Sequence, residues 1–489
     1  MASTPPLSLL LLLAAASGGS YALAFPPFSL PGAAFVALVP FFALTVGLPP
    51  GRAALAALVW TTAAALALGH WLPGTIARFF EAPLALGWLA LLVVAWLPAG
   101  LPLAACAAWA SWAARRRALG PLGLGAAFGL TELARTYAWP PLPYAPLGSA
   151  ALPEALVQSA DALGVFGVGM LVAGANAVLA CLVAPLLRTR RAAAEALGVG
   201  AALAAAAFLG QSRLASGEET GRALRVAAVQ PGVALRLAAP DAPETALRHA
   251  IALEDTRALV GAGHDLVVWP EHAVGFYLRE RTAERDALFA LSRALGADLL
   301  LGGPHYRVAA PEPRYFASAF LLGAGELRGR HDKTRLVPLA ETAYAAGEGV
   351  HPLAGAHVRV GALVCAELLF PGVARALARE GAEVLANPSN DAWLVPAAAD
   401  HMLRLAALRA IENRRPLVRA TPTGVSAVID AKGRVLARAP DGARAVIEGA
   451  VAPGRGTTLT QRFGDWPAGA AAVAVGFVTL ARRRTHGDA

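Results

Sequence analysis

The sequence predicts a polytopic α-helical membrane bundle carrying a water-exposed α/β domain. Three observations carry that prediction. The chain of 489 residues is 56% hydrophobic and only 15% charged, too apolar for an ordinary soluble protein and too long for one domain. Its apolar residues are unevenly spread: long apolar runs fill residues 7 to about 210, and another precedes the basic tail "ARRRTHGDA". Between them, from Arg222 to about Arg455, short apolar runs alternate with helically spaced segments. The expected division is a transmembrane bundle over 1–215, a catalytic-type domain over 222–455, and a final span with a basic tail over 464–489.

Seven spans fit the first part, at roughly 7–24, 31–48, 53–72, 84–105, 120–137, 162–185 and 193–211. Each comes close to the ~20 apolar residues that cross hydrocarbon as a helix. The run after Trp466 makes about eight. The first run has the apolar core of a signal peptide, but "MASTPP" lacks a basic leader and six further spans follow, so it is read as a span. Arg52, Arg115–Arg116–Arg117, the group Arg188, Arg190 and Arg191, and the tail arginines occupy alternate loops and the C-terminus. The positive-inside rule puts all of these in the cytoplasm, and the middle domain on the outer face. Much of the net charge of +9 belongs to those loops. A basic stripe with interleaved aromatics is absent, which excludes nucleic acid as a partner.

The middle domain reads in order as strand "LRVAAVQPG", helix 243–261, strand "HDLVVWPEH", helix 281–295 and strand "ADLLLGGPH". Then come the strand pair "YFASAFLL" and "LRGRHDK", strand "HVRVGALVC", a helix near 371–381 and strand "AEVLANPS". A helix over 399–413 and four closing strands finish it. Continuous apolar strands of this kind are buried on both faces, and side chains just past strand ends are where α/β sheets place ligand chemistry. Glu271, Lys333 and Cys365 all fall there.

Each of the three has a chemical reading and a plainer one. Cys106 and Cys181 lie inside spans, leaving Cys365 alone in the domain; a lone thiol in an oxidising compartment is either buried or working. Lys333 is one of two lysines among 42 basic residues. It sits between Arg330 and Arg335, where bare positive charge was already supplied. A compact ammonium suits an oxyanion partner; a surface lysine is the plainer reading. Glu271 after "VVWP" is either a general base with a pKa raised by an apolar pocket or a carboxylate at a helix N-terminus. Glu341 and Glu367 are read as orienting Lys333, fixing loops, or forming surface ion pairs. Glu132 and Arg135 share one helical face inside a span, to pair with each other or to meet a lipid head group.

Taken together, Glu271, Lys333 and Cys365 in that order, with "NPSNDAW" and "RAIENRRP" behind them, resemble the nitrilase superfamily. That resemblance covers about 225–452 and implies a nitrilase-like αββα sandwich. Outside it, "LAFPPF", "ELARTYAWPPLPYAPLG", the spacing of Gln158, Asp161, Gly164, Gly167 and Asn176, "RLVPLAE" and "QRFGDWP" are similar to the apolipoprotein N-acyltransferase family. The resemblance implies Glu271 as base and acid, Lys333 as oxyanion partner and Cys365 as nucleophile, with Glu341 and Glu367 as supporting glutamates. Ala366 stands where the family often has tyrosine, and a tryptophan frequent after the first strand has no counterpart in "QPGVALRLAAPD".

The implied reaction takes a fatty acyl group from a phospholipid ester to a Cys365 thioester. The thioester then passes it to the α-amine of a diacylglyceryl-modified apolipoprotein. Lys333 and the Ala366 N–H would hold the oxyanion, and a dry site beside membrane lipid would favour amine over water. The location implied is a bacterial inner membrane with the domain in the periplasm. No cofactor, metal or oligomeric state is implied. Two rivals remain at this stage: a membrane-anchored nitrilase-like amidase or hydrolase, and a non-catalytic membrane scaffold.

Overall fold

The computed structural model describes residues 6–217, 222–234, 243–280, 282–308, 312–338 and 340–487, with side chains to residue 480. Most of the segment lacking the expected tryptophan lies outside the described residues. The chain forms two compact units, Met1–Ala215 with Asp465–Ala489, and Ser216–Gly464.

The first unit is helical. Among the described residues, five of its helical stretches are long and apolar enough to cross a membrane: Leu7–Ala24, Pro50–Gly69, Leu84–Arg115, Ala160–Val183 and Arg190–Ala215. Ala33–Thr45 and Trp466–Leu480 are shorter apolar stretches. The expected single span over 31–48 is instead a short helical turn, Ala33–Phe35, and a helix, Val39–Thr45. Gly32 turns the chain with φ 81°, and Pro40 contributes no N–H to continue a longer helix. The carboxamide of Asn176 repairs the break: it accepts from the Leu38 N–H at 2.9 Å and donates to the carbonyls of Ala34 and Val172, both at 2.8 Å. Glu132 and Arg135, on the helix Pro121–Tyr137, pair at 3.3 Å. Arg135 also donates to the carbonyls of Leu142, Tyr144 and Ala145, and Glu132 accepts from the Leu147 N–H at 2.7 Å. Their observed partners are therefore each other and the proline-rich segment that follows.

The second unit holds twelve strands: β1 Leu224–Gln230, β2 Leu266–Val268, β3 Asp298–Arg307, β4 Arg314–Gly323, β5 Glu326–Asp332, β6 Leu353–Ala354, β7 Arg359–Ala362, β8 Val384–Pro388, β9 Leu417–Ala420, β10 Ala427–Ile429, β11 Val435–Arg438 and β12 Ala445–Val451. They form two six-stranded sheets, ordered β12-β1-β2-β3-β4-β5 and β11-β10-β9-β8-β7-β6. One apolar core, including Val226, Val268, Leu321, Val360, Ala386 and Val418, lies between the sheets. A second packs the outer face of the first sheet against the helices Pro243–Arg257 and Ala283–Leu295. A third packs the second sheet against Pro371–Arg379 and Pro396–Asn413. Those three cores define four layers, helix, sheet, sheet, helix.

Strand ends set the site. β1 to β3 run parallel, as do β7 to β9. Glu271 lies three residues past β2, Lys333 directly follows β5, and Cys365 lies three residues past β7. The Glu271 segment crosses β3 so closely at Gly302 that a Cβ there would sit 2.6 Å from the Glu271 Cα. Backbone cannot retreat as a flexible side chain would, so Gly302→Ala should destabilise the chain by about 1–3 kcal/mol, as overpacking does. Denaturant melts beside the parent would measure this; an unchanged midpoint would show that the segment tolerates displacement.

Candidate active site

Lys333 is the centre of the site. Its side chain is fully buried, with Nζ 3.0 Å from Glu271 Oε1 and 2.6 Å from Glu341 Oε1. The surface-lysine reading is thus overturned: an ammonium with no solvent must be surrounded by anions. Glu341 is itself fixed, its second oxygen accepting from the Val337 N–H at 2.7 Å. The neighbouring Asp332 does not compete for the ammonium. It is engaged by Ser318 Oγ at 2.7 Å, Arg330 Nε at 2.7 Å and Arg307 at 2.8 Å.

Cys365 begins a short helical turn, Cys365–Leu369, with φ 50°. That left-handed backbone is unfavourable for a residue with a Cβ and turns the side chain sharply off the strand line. The buried thiol meets the Glu271 carboxylate on one side and the Asn390 backbone N–H on the other. The structure thereby brings Glu271, Lys333, Glu341 and Cys365 together. Ala366, also buried, follows the thiol on the same turn.

Glu367 has another place. It does not contact Lys333; its carboxylate accepts from the Val364 N–H (2.8 Å), the Thr334 N–H (2.8 Å) and hydroxyl (2.6 Å), and His331 Nε2 (2.9 Å). Of the expected alternatives, loop fixing is the one realised. It ties the residues on either side of Lys333 to the residue before Cys365. His331 and Thr334 escaped the sequence reading, because a lone histidine in "RHDK" carries no pattern.

Electrostatics assign the protons. Burial alone would raise the Glu271 carboxyl, but Lys333, then His272 and the Cys365 thiol, outweigh it and hold the group below its ordinary value. The expected upward shift is therefore corrected: the pocket is not merely apolar but contains a cation. Burial, with Glu271 adding to it and Lys333 opposing, raises Glu341. Burial also pushes the Cys365 thiol up to about 12, helped by Glu271 and opposed by Lys333. For Lys333 burial alone would lower the pKa, yet Glu271 and the other anionic partners hold it well above the usual lysine value. The resting site is a neutral thiol against a carboxylate, the ground state of a base poised to take a proton. His331, which burial alone would lower, is raised by Glu367.

Sheet, turn and buried ion pair define the second unit as a carbon-nitrogen hydrolase domain. The model of the carbon-nitrogen hydrolase family matches residues 225–460, and that of the apolipoprotein N-acyltransferase N-terminal domain matches residues 17–178. An apolipoprotein N-acyltransferase of Geobacter metallireducens is 29% identical, over 97% of this chain and 96% of its own. One from Rhizobium rhizogenes is 31% identical, over 87% and 86% respectively. The chain belongs to the apolipoprotein N-acyltransferase family. Among solved structures, a Saccharomyces cerevisiae member of the nitrilase superfamily aligns with 48% of this chain and 93% of its own, at 19% identity and a TM-score of 0.41.

The proton assignment makes a pH profile informative. A carboxylate held below its ordinary value stays ionised through neutrality and is lost only as pH falls through that lowered value. Acylation of Cys365 by an activated p-nitrophenyl ester should therefore be level at neutral pH and drop only on the acid side. Glu271→Gln should lower the rate about 10²–10⁴-fold and remove the acid limb. A parent limb centred in the neutral range would contradict the assignment.

Proposed function

We propose that this protein transfers a fatty acyl group from a membrane phospholipid, through a thioester on Cys365, to the N-terminal α-amine of diacylglyceryl-cysteine apolipoproteins. The observation that carries the reading is the buried Glu271–Lys333–Cys365 constellation within a chain of this family.

In the first half-reaction the Glu271 carboxylate takes the thiol proton as sulfur attacks the ester carbonyl. Charge gathers on the carbonyl oxygen, where Lys333 and the Ala366 N–H serve as donors; each such donor contributes about 10²–10³ in rate. As the C–O bond breaks, Glu271 gives its proton to the departing lysophospholipid oxygen. The α-amine of the acceptor then attacks the thioester and Glu271 takes the surplus amine proton. As the C–S bond breaks, Glu271 returns that proton to the departing Cys365 sulfur, restoring the thiol. Glu341 keeps Lys333 aimed during both halves, and Glu367 keeps the Lys333 and Cys365 loops in register. No cofactor enters: the acyl group arrives already activated as an ester.

The same reading places about eight spans in a bacterial inner membrane, the second unit in the periplasm and the C-terminus in the cytoplasm. The alternating arginine loops support it. A hydrolase would share the first half and differ in accepting water. A scaffold would not need a buried cation and two carboxylates beside a thiol, an arrangement costly to maintain without use.

Purified protein given phosphatidylethanolamine should gain one acyl mass by intact-mass spectrometry. A Cys365→Ala variant should gain none. A diacylglyceryl-cysteine peptide should discharge the adduct and itself become N-acylated, with parallel double-reciprocal plots as donor and acceptor are varied. Discharge by buffer at the same rate, without amide product, would instead make the protein a hydrolase.

A further inference from the structure

Arg419 is a fully buried arginine on β9 with no part in the reaction described. It is the direct cross-strand neighbour of Asn387 on β8. One guanidinium nitrogen donates to Asn387 Oδ1 and another to Asp391 Oδ2. These two acceptors bracket the segment 387–391. The Asn387 carboxamide donates to the carbonyls of Leu363 and Cys365, the latter at 3.3 Å. The Ser389 carbonyl accepts the Glu271 N–H at 3.3 Å, and the Asn390 N–H points to the Cys365 sulfur. Asp391 also accepts from Ser389 Oγ at 3.1 Å. Position 424 packs so tightly on the segment that a Cβ on Gly424 would lie 2.4 Å from the Asp391 Cβ.

The left-handed backbone at Cys365 is unfavourable for a residue with a Cβ and persists only where its surroundings hold it. The hold on its carbonyl is Asn387, and the hold on Asn387 is Arg419. A guanidinium can do this because its planar fork reaches two separated acceptors at once, which an ammonium cannot. We propose that Arg419 is a positioning residue for the acyl-transfer reaction, fixing the 387–391 segment so that Asn387 holds the Cys365 turn and Asn390 faces its sulfur. The proposal rests on Cys365 being the nucleophile.

Removing Arg419 alone would strand a buried Asp391 and risk unfolding, whereas replacing both charges by apolar side chains is often neutral for stability. The test is therefore Arg419→Met with Asp391→Leu in one chain, with Arg419→Lys beside it. Three quantities are measured on each: the melting temperature in detergent, the rate constant and half-saturating phosphatidylethanolamine for acyl-Cys365 formation, and the rate of iodoacetamide alkylation of the Cys365 peptide. The double variant should melt near the parent, lose about 100-fold in acylation rate constant, as misplaced reacting groups do, and keep its half-saturating donor concentration. Its alkylation should slow measurably at fixed pH, since the thiolate forms less readily without a hydrogen-bond donor aimed at it. Arg419→Lys should fall between the two in rate constant alone. A folded double variant that is acylated and alkylated at the parent's rates would overturn the proposal, as would a change confined to half-saturation. If the parent takes no acyl group from lipid while alkylation still slows in the variants, the positioning role stands and the lipid-donor reading falls.

Discussion

The Lys333 ammonium lies wholly out of water between two carboxylates, and the rest of the site follows from that contact. Removing one member of such a buried set leaves an uncompensated charge, a loss of about 3–5 kcal/mol where it has been measured. One cation shared by two acids also divides their roles. Glu271 is held ionised against the thiol, while Glu341, raised by burial and by Glu271, accepts a hydrogen bond from the ammonium and keeps it in place. A single buried charge thus holds Glu271 ionised beside the thiol, while burial keeps the proton on the sulfur.

The site, unlike that contact, spans the two sheets. Glu271 and Lys333 leave the first sheet, Cys365 leaves the second, and the apolar core between them fixes their separation. Apolar packing has no directional preference, so the register of the loops above it must come from hydrogen bonds. Glu367 supplies one such link, from His331 and Thr334 across to Val364. The segment 387–391 supplies another, from the Glu271 N–H to the Cys365 carbonyl. The site is rigid at its base because these polar links are buried where no water competes for them.

Much of this was legible in the sequence, for reasons that differ by residue. Lys333 stood out because the chain otherwise uses arginine; Cys365 because its strand had no thiol partner; Glu271 because it ended an apolar run. The layers were not legible from periodicity, since a strand buried on both faces reads the same in either sheet. They came through family resemblance. Glu271 was expected with a raised pKa because the pocket's cation comes from β5, sixty-two residues away in the chain. Arg419 was hidden by abundance: among so many arginines, nothing in the sequence marks this one as fully buried. The break at 31–48 was missed because apolar content was weighed above Gly32 and Pro40.

A thiol pushed up to about 12 beside an ionised carboxylate also protects Cys365 from oxidation. Thiolate is the species that oxidants and disulfides attack, and at neutral pH almost none exists in the resting site. In the proposed reaction, proton transfer to Glu271 is uphill until an ester carbonyl is in place, because only then would negative charge move from sulfur to an oxygen that Lys333 can reach. The nucleophile is therefore generated by the substrate that consumes it. The same logic governs the second half: Glu271, ionised again, can take a proton from an incoming amine, while the buried thioester meets little water. Reactivity and protection both rest on one dry pocket: in the proposed reaction the ammonium holds Glu271 ionised as the base, and burial keeps the resting thiol its proton.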